Sequence, residues 1–132
     1  MPPPFRSMLG TVMVTALAMW PVAAQAPSLA MLDGLSKGKW MLHLRDDAGE
    51  QLVCLRDARD FIQLRHPQTD CSRFVVEAKP DEVDVQYTCR GHGYGRTSIR
   101  RESKTLVQIQ SRGLVDGAPF AIDAEGRYIG AC

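Results

Sequence analysis

The sequence predicts a mainly β domain: an antiparallel meander of seven or eight short strands, forming a strongly curved sheet or a small barrel. Three observations lead there. Apolar and polar residues alternate in short runs such as Trp40-Met41-Leu42-His43-Leu44, the period of a strand with one buried face. Turn-forming clusters separate those runs at close intervals. Four cysteines, Cys54, Cys71, Cys89 and Cys132, are distributed through the same part of the chain, as in a disulfide framework.

The chain of 132 residues begins differently. Arg6 precedes an uncharged run, Met8–Trp20, of about 13 residues, whereas a helix spanning a bilayer needs roughly 20. Pro21 closes the run, and Val22-Ala23-Ala24 supplies small residues after it. A positive start, an apolar centre and a small-residue exit describe a secretory signal peptide. Cleavage is expected after Ala24, because a cut after Ala26 would place Pro27, which lacks an N–H, at the scissile bond. The chain then divides into a leader, 1–24, and a single disulfide-linked β domain, 25–132. Its expected location is periplasmic or secreted, with no transmembrane segment after signal cleavage. Loss of Arg6 leaves equal numbers of basic and acidic residues, which argues against a nucleic-acid partner.

A domain this small buries a modest share of its surface and benefits from cross-links. Strand register selects among the three possible pairings. Ser72–Glu77 and Val83–Thr88 are rich in β-branched and aromatic residues, and Ala78-Lys79-Pro80-Asp81-Glu82 between them has turn character. Folding about Pro80 sets Val75 opposite Val85 and Cys71 opposite Cys89. Facing residues at a non-hydrogen-bonded position lie within disulfide reach. Cys71–Cys89 is therefore expected, which leaves Cys54–Cys132. The absence of a Cys-x-x-Cys argues against a redox pair or a metal site.

The other elements follow in order. Gln25–Lys37 reads as an extended lead-in or one short helical turn. Trp40–Leu44 and Gln51–Leu55 form a hairpin; folding about Ala48 sets Leu44 against Leu52 and Leu42 against Cys54. One short helical segment is expected near 57–65, stopped by His66-Pro67. Gly91-His92-Gly93-Tyr94-Gly95 is a turn or bulge that uses glycine backbone freedom. Thr97–Arg101 and Thr105–Gln110 fold at Ser103, placing Ile99 opposite Val107. Val115-Asp116-Gly117-Ala118 carries the Asp-Gly hairpin signal. Phe120–Ile122 and Arg127–Ile129 make a last pair around Ala124-Glu125-Gly126.

No set of acid, base and nucleophile can be assembled, so the sequence points away from an enzyme. It assigns no catalytic residue, cofactor or metal. The glycine-rich run lacks the Lys-Ser/Thr of a phosphate loop, and His43, His66 and His92 are scattered. Arg90, Arg96, Arg100, Arg101 and Lys104, opposed only by Glu102, form the densest charge cluster. Arg96 and Arg100 share a strand face by period two; they read as a solvated outer face or as a contact for anionic envelope lipid or an acidic partner. Trp40 reads as a core anchor. An alternative sets Trp40, Leu42, Leu44, Phe120, Ile122 and Tyr128 around a cavity for one apolar molecule. Two functional expectations result. One is a non-enzymatic binding domain for an apolar small molecule or an envelope component. The other is a protein-interaction or inhibitory module of the cell envelope without a small-molecule ligand.

Gly38-x-Trp40, Cys54-Leu55, the middle pair Cys71 and Cys89, and the closing Gly130-Ala131-Cys132 together resemble the small exported bacterial proteins grouped as domain of unknown function 3617. The resemblance covers about Gly34–Cys132. It implies a periplasmic location and carries no established activity or catalytic residue.

Amino-terminal sequencing of protein recovered from the periplasm is expected to begin at Gln25. A product that retains Met1 would remove the leader from this reading.

Overall fold

The computed structural model describes residues 1–4, 20–21 and 27–132. Apart from residues 1–4 and 20–21, the expected leader and its cleavage point lie outside the described residues. No helix among the described residues is long and apolar enough to cross a membrane.

Seven antiparallel strands form one sheet: β1 Gly38–Leu44, β2 Gly49–Leu55, β3 Ser72–Ala78, β4 Glu82–Cys89, β5 Gly93–Ser103, β6 Leu106–Val115 and β7 Ala118–Gly130. Their order is β2-β1-β7-β6-β5-β4-β3. The sheet is open, with β2 and β3 as its edges, so the meander does not close into a barrel. Two 3-10 turns accompany it, Ala30–Gly34 and Ala58–Gln63. The second is the expected helical segment near 57–65. It is tighter than an α-helix, and Asp57 caps it by accepting a hydrogen bond from the Arg59 N–H at 2.9 Å. That N–H also holds the Asp57 carboxyl below the ordinary carboxylate range.

Alternation decides which face is buried. Trp40 and Leu42 on β1, Val83, Val85 and Tyr87 on β4, Ile99 on β5, Val107 and Ile109 on β6, and Ala124 on β7 are all buried. Phe61 and Ile62 of the Ala58–Gln63 turn lie fully buried in the same cluster. Trp40 meets Phe61 edge-on at 5.3 Å and Tyr128 at 5.9 Å, separations favoured by aromatic quadrupoles. Its indole N–H donates to the Ser36 carbonyl at 2.9 Å.

Several registers match the sequence reading. Val75 pairs with Val85, and Cys71 is bonded to Cys89 across a Cα separation of 4.3 Å. Asp116 and Gly117 both have positive φ, 48° and 82°, between the paired residues Val115 and Ala118. That is the backbone signature of a type I′ hairpin.

Three expectations are corrected. The β1–β2 hairpin pairs Leu42 with Gln51 and Leu44 with Gly49, in place of Leu42 with Cys54 and Leu44 with Leu52. The turn centres on Asp46-Asp47, both in the left-handed region, so the register moves by three residues. An odd shift exchanges the faces of a strand. Leu52 and Cys54 therefore stand on the outer face, and Val53 lies opposite Trp40. Between β5 and β6, Ile99 pairs with Ile109 and Arg101 with Val107. This displacement from the expected Ile99–Val107 pair is even, so the buried set survives it. Finally, Phe120–Ile122 and Arg127–Ile129 do not pair with each other. They belong to one long strand, β7, which pairs along β6 and, from Ala124 onward, along β1. Gly126 marks close packing in place of a turn: a Cβ there would lie 2.8 Å from Val107 Cγ2 and 3.0 Å from Leu42 Cδ2.

The second disulfide joins Cys54 to Cys132, with Cα atoms 5.7 Å apart. Lys39 pairs with Cys54 on one side and with Gly130 on the other. The carboxyl-terminal tail must therefore pass the start of β1 to reach β2. Gly38 leaves room for it, since a Cβ there would meet the Gly130 carbonyl and approach Tyr128 Cε2 to 2.8 Å. Gly38, Trp40, Cys54, Gly130 and Cys132 thus form one corner of the fold.

Replacing Cys71 and Cys89 together with alanine should cost about 3 kcal/mol, and replacing Cys54 and Cys132 roughly 4.5 kcal/mol, because the links span 18 and 78 residues. Denaturant unfolding of the two double variants measures the order. The opposite ranking would refute loop closure as its cause.

Candidate functional site

Among the described residues, the buried face is filled by side chains and shows no apolar chamber. Of the six residues expected to line one, Trp40 and Leu42 are inaccessible and Ile122 is buried. Leu44, Phe120 and Tyr128 pack against the same cluster from its margin. Phe61 and Ile62 occupy the centre, so Trp40 is a core anchor.

A polar knot is set into this face, and its residues carry no motif in the sequence. His66, Thr97 and Ser111 are all buried. His66 Nε2 lies 3.1 Å from the His92 carbonyl, and Nδ1 lies 2.9 Å from the Tyr87 hydroxyl. A carbonyl only accepts, so Nε2 carries the proton and Nδ1 accepts from Tyr87. Thr97 donates to the Ile62 carbonyl, which leaves Ser111 to donate to Thr97 Oγ1 across 2.7 Å. These bonds tie the turn and the segment after it to β4, β5 and β6. Burial pushes the Tyr87 phenol up to about 12, against a smaller opposing effect of the Ser111 hydroxyl. The knot has every atom spoken for and little access to solvent; its chemistry is that of attachment.

Arg96 and Arg100 do share the outer face of β5, with Ser98 between them. Each already has an acidic neighbour. Arg96 grips Asp84 through two nitrogens, at 2.9 and 2.6 Å, and Arg100 reaches Glu102 at 3.2 Å. Asp84 is the partner that linear reading missed, because it lies diagonally across the strand pair from Arg96, opposite Ser98, instead of along the chain. The pairing continues over the outer face: Arg45 with Asp123, Arg127 with Glu125, and His43 with Glu50. His43 is half-exposed beside Glu50, whereas His66 is buried against Tyr87 and the His92 carbonyl, so the three histidines do not form one group among the described residues. Among the described residues, no group of three or more His, Cys, Asp or Glu side chains is placed to hold a metal ion.

Two clefts lie at interruptions of the sheet. One, of about 510 Å³, lies between the β2 edge and the segment after the turn, and is lined in part by Leu52, Val53, Leu64, Pro67 and Arg73. The Gln68 side-chain oxygen at this cleft is buried without a hydrogen-bond partner. The second, of about 450 Å³, lies where β1 stops short of the first half of β7. Apolar side chains also stand exposed on both edge strands: Phe74 of β3 is 69% accessible and Leu52 of β2 is 57% accessible. Access, free backbone and apolar surface therefore lie together at the margins. No protein family, curated protein or solved structure matches the chain.

The raised Tyr87 pKa carries a sign. The unfolded phenol releases its proton near pH 10 and the folded one near 12, so this contribution to stability is full below pH 10 and is lost as pH rises through 12. Tyr87→Phe should flatten that loss. Alkaline unfolding followed by circular dichroism checks it, and an identical decline in both proteins would reject the assignment.

Proposed function

We propose that this chain is an exported, non-enzymatic interaction domain of the cell envelope, which engages a protein partner at the margins of its sheet. The observation that carries the reading is the filled centre. With Trp40, Leu42, Phe61 and Ile62 packed together and inaccessible, the buried face offers no space for an apolar molecule. The exposed Phe74 and Leu52 and the unpaired sides of β2 and β3 are surfaces of the kind that protein partners cover.

Export is part of the proposal. Two disulfides and no free cysteine suit an oxidising compartment, and the amino-terminal Arg6, apolar run and small-residue exit suit a secretory leader. The resemblance to the domain of unknown function 3617 proteins points to the same compartment. Catalysis finds no support, since the one buried cluster with histidine, tyrosine and serine is internally satisfied. A lipid contact through Arg96 and Arg100 is disfavoured because Asp84 and Glu102 already offset those charges.

Native mass spectrometry of the protein released from the periplasm tests the reading. A protein-sized adduct that dissociates from the intact, doubly disulfide-bonded domain is expected. A small-molecule adduct of defined mass, retained after gel filtration, would overturn it.

A further inference from the structure

The cleft at the end of β1 is a missing strand position. Strand β7 runs for 13 residues, yet β1 accompanies only its second half and ends at the Leu44–Ala124 pair. The first half of β7 has β6 on one side and no strand on the other. The type I′ turn fixes which backbone groups face that open side. Val115 and Ala118 flank the two-residue turn and form a hydrogen-bonded pair, and alternation along the ladder then turns Pro119, Ala121 and Asp123 away from β6. The Arg45 N–H, donating to the Asp123 carbonyl at 2.8 Å, confirms this parity. The Ala121 N–H and C=O therefore point into the cleft, and Pro119, with no N–H to leave unpaired, closes the row toward the turn.

The lining agrees with a strand slot. It combines Leu44 and Ile122 from the inner face with Arg112, Ala121 and Asp123 from the outer face, which a space lying in the plane of the sheet would do. Charge specifies the occupant. Arg65 and Arg112 both line the cleft, and neither has an ion pair or a side-chain hydrogen bond among the described residues, whereas Arg45 is held by Asp123 and Gln108. Asp123 is engaged by Arg45, and Asp46 also lines the cleft, so the two guanidiniums exceed the remaining carboxylate by one charge.

We propose that this cleft binds an extended, acidic segment of a partner protein, which enters as a continuation of β1, pairs its backbone with Ala121 and brings its carboxylates into the cleft that Arg65 and Arg112 line. The proposal rests on the interaction-domain reading and gives it a partner chemistry. Backbone pairing supplies affinity and the side-chain pockets supply selection, while guanidinium–carboxylate bonds add direction.

The test uses the mature, disulfide-bonded protein and a capped hexapeptide of alternating valine and glutamate. The same peptide with lysine for glutamate and free glutamate serve as controls, with binding followed by isothermal titration. The acidic peptide should bind, and both controls should bind at least roughly tenfold more weakly. Arg65→Ser with Arg112→Ser should weaken the acidic peptide by roughly tenfold or more. Ala121→Pro, which removes an N–H that β6 does not use, should abolish its binding; should that variant misfold, an N-methylated peptide makes the same comparison on the unaltered protein. No binding at millimolar peptide, equal binding of the lysine peptide, undiminished binding to the arginine variant, or full competition by free glutamate would each overturn the proposal. A periplasmic protein adduct that persists despite such a result removes this cleft alone, while a small-molecule adduct removes the wider reading.

Discussion

Phe61 and Ile62 reach the buried face of the sheet from a turn only six residues long, and the remaining architecture is arranged around their burial. Complete removal of two such side chains from water contributes on the order of 1.5–3 kcal/mol each. Topology puts them there. The edge strands, β2 and β3, follow one another in sequence while lying at opposite ends of the sheet. The chain that joins them has to cross the sheet, and it does so over the apolar face. Phe61 meets Trp40 of β1, and the Ile62 carbonyl accepts from Thr97 of β5. One connection therefore covers the core and links its two ends.

This arrangement leaves each edge strand with a single neighbour, and the disulfides address that weakness. Cys54 lies on β2 and is tied to the tail beyond β7. Cys71 immediately precedes β3 and is tied to the end of β4. Each edge thus carries one covalent fastening, while the five inner strands depend on two ladders apiece. His66 acts similarly by hydrogen bonding: it anchors the segment leading to β3 on Tyr87 and the His92 carbonyl. The two disulfides, which suit an oxidising compartment, are therefore placed where the geometry of the sheet leaves a strand with one neighbour.

Much of this was legible in the residues, and the failures have local causes. The Cys71–Cys89 hairpin could be read because symmetrical β-branched runs flank one proline turn. The Asp116-Gly117 turn could be read because glycine advertises positive φ. Asp46-Asp47 performs the same manoeuvre without glycine, so the reading centred the turn too late and exchanged the faces of β2. Gly126 misled in the opposite direction: it looked like a turn, yet its missing side chain makes room for Val107 and Leu42. The polar knot was illegible because His66, Tyr87, Thr97 and Ser111 come from four separate segments and meet only after packing. Arg96 and Arg100 were placed on the correct face, and Glu102, the neighbour of Arg100, was visible along the chain; Asp84, which neutralises Arg96, is a cross-strand partner that charge counting along the chain does not reveal.

The same division between centre and margin bears on what the domain does. Its core residues are inaccessible and the polar atoms of the knot, from His66 to Ser111, are mutually satisfied, so ligand recognition there would require disrupting the contacts that hold the turn in place. At the margins no such conflict arises. A partner strand laid along β2, β3 or the free half of β7 would extend an existing ladder and cover apolar side chains already facing solvent. Fastened edges also favour such a role, since a strand that does not fray presents its backbone groups in fixed register and loses less entropy when a partner pairs with it. The disulfides keep the edges folded, and under the proposed function that same effect would hold them in register for a partner strand.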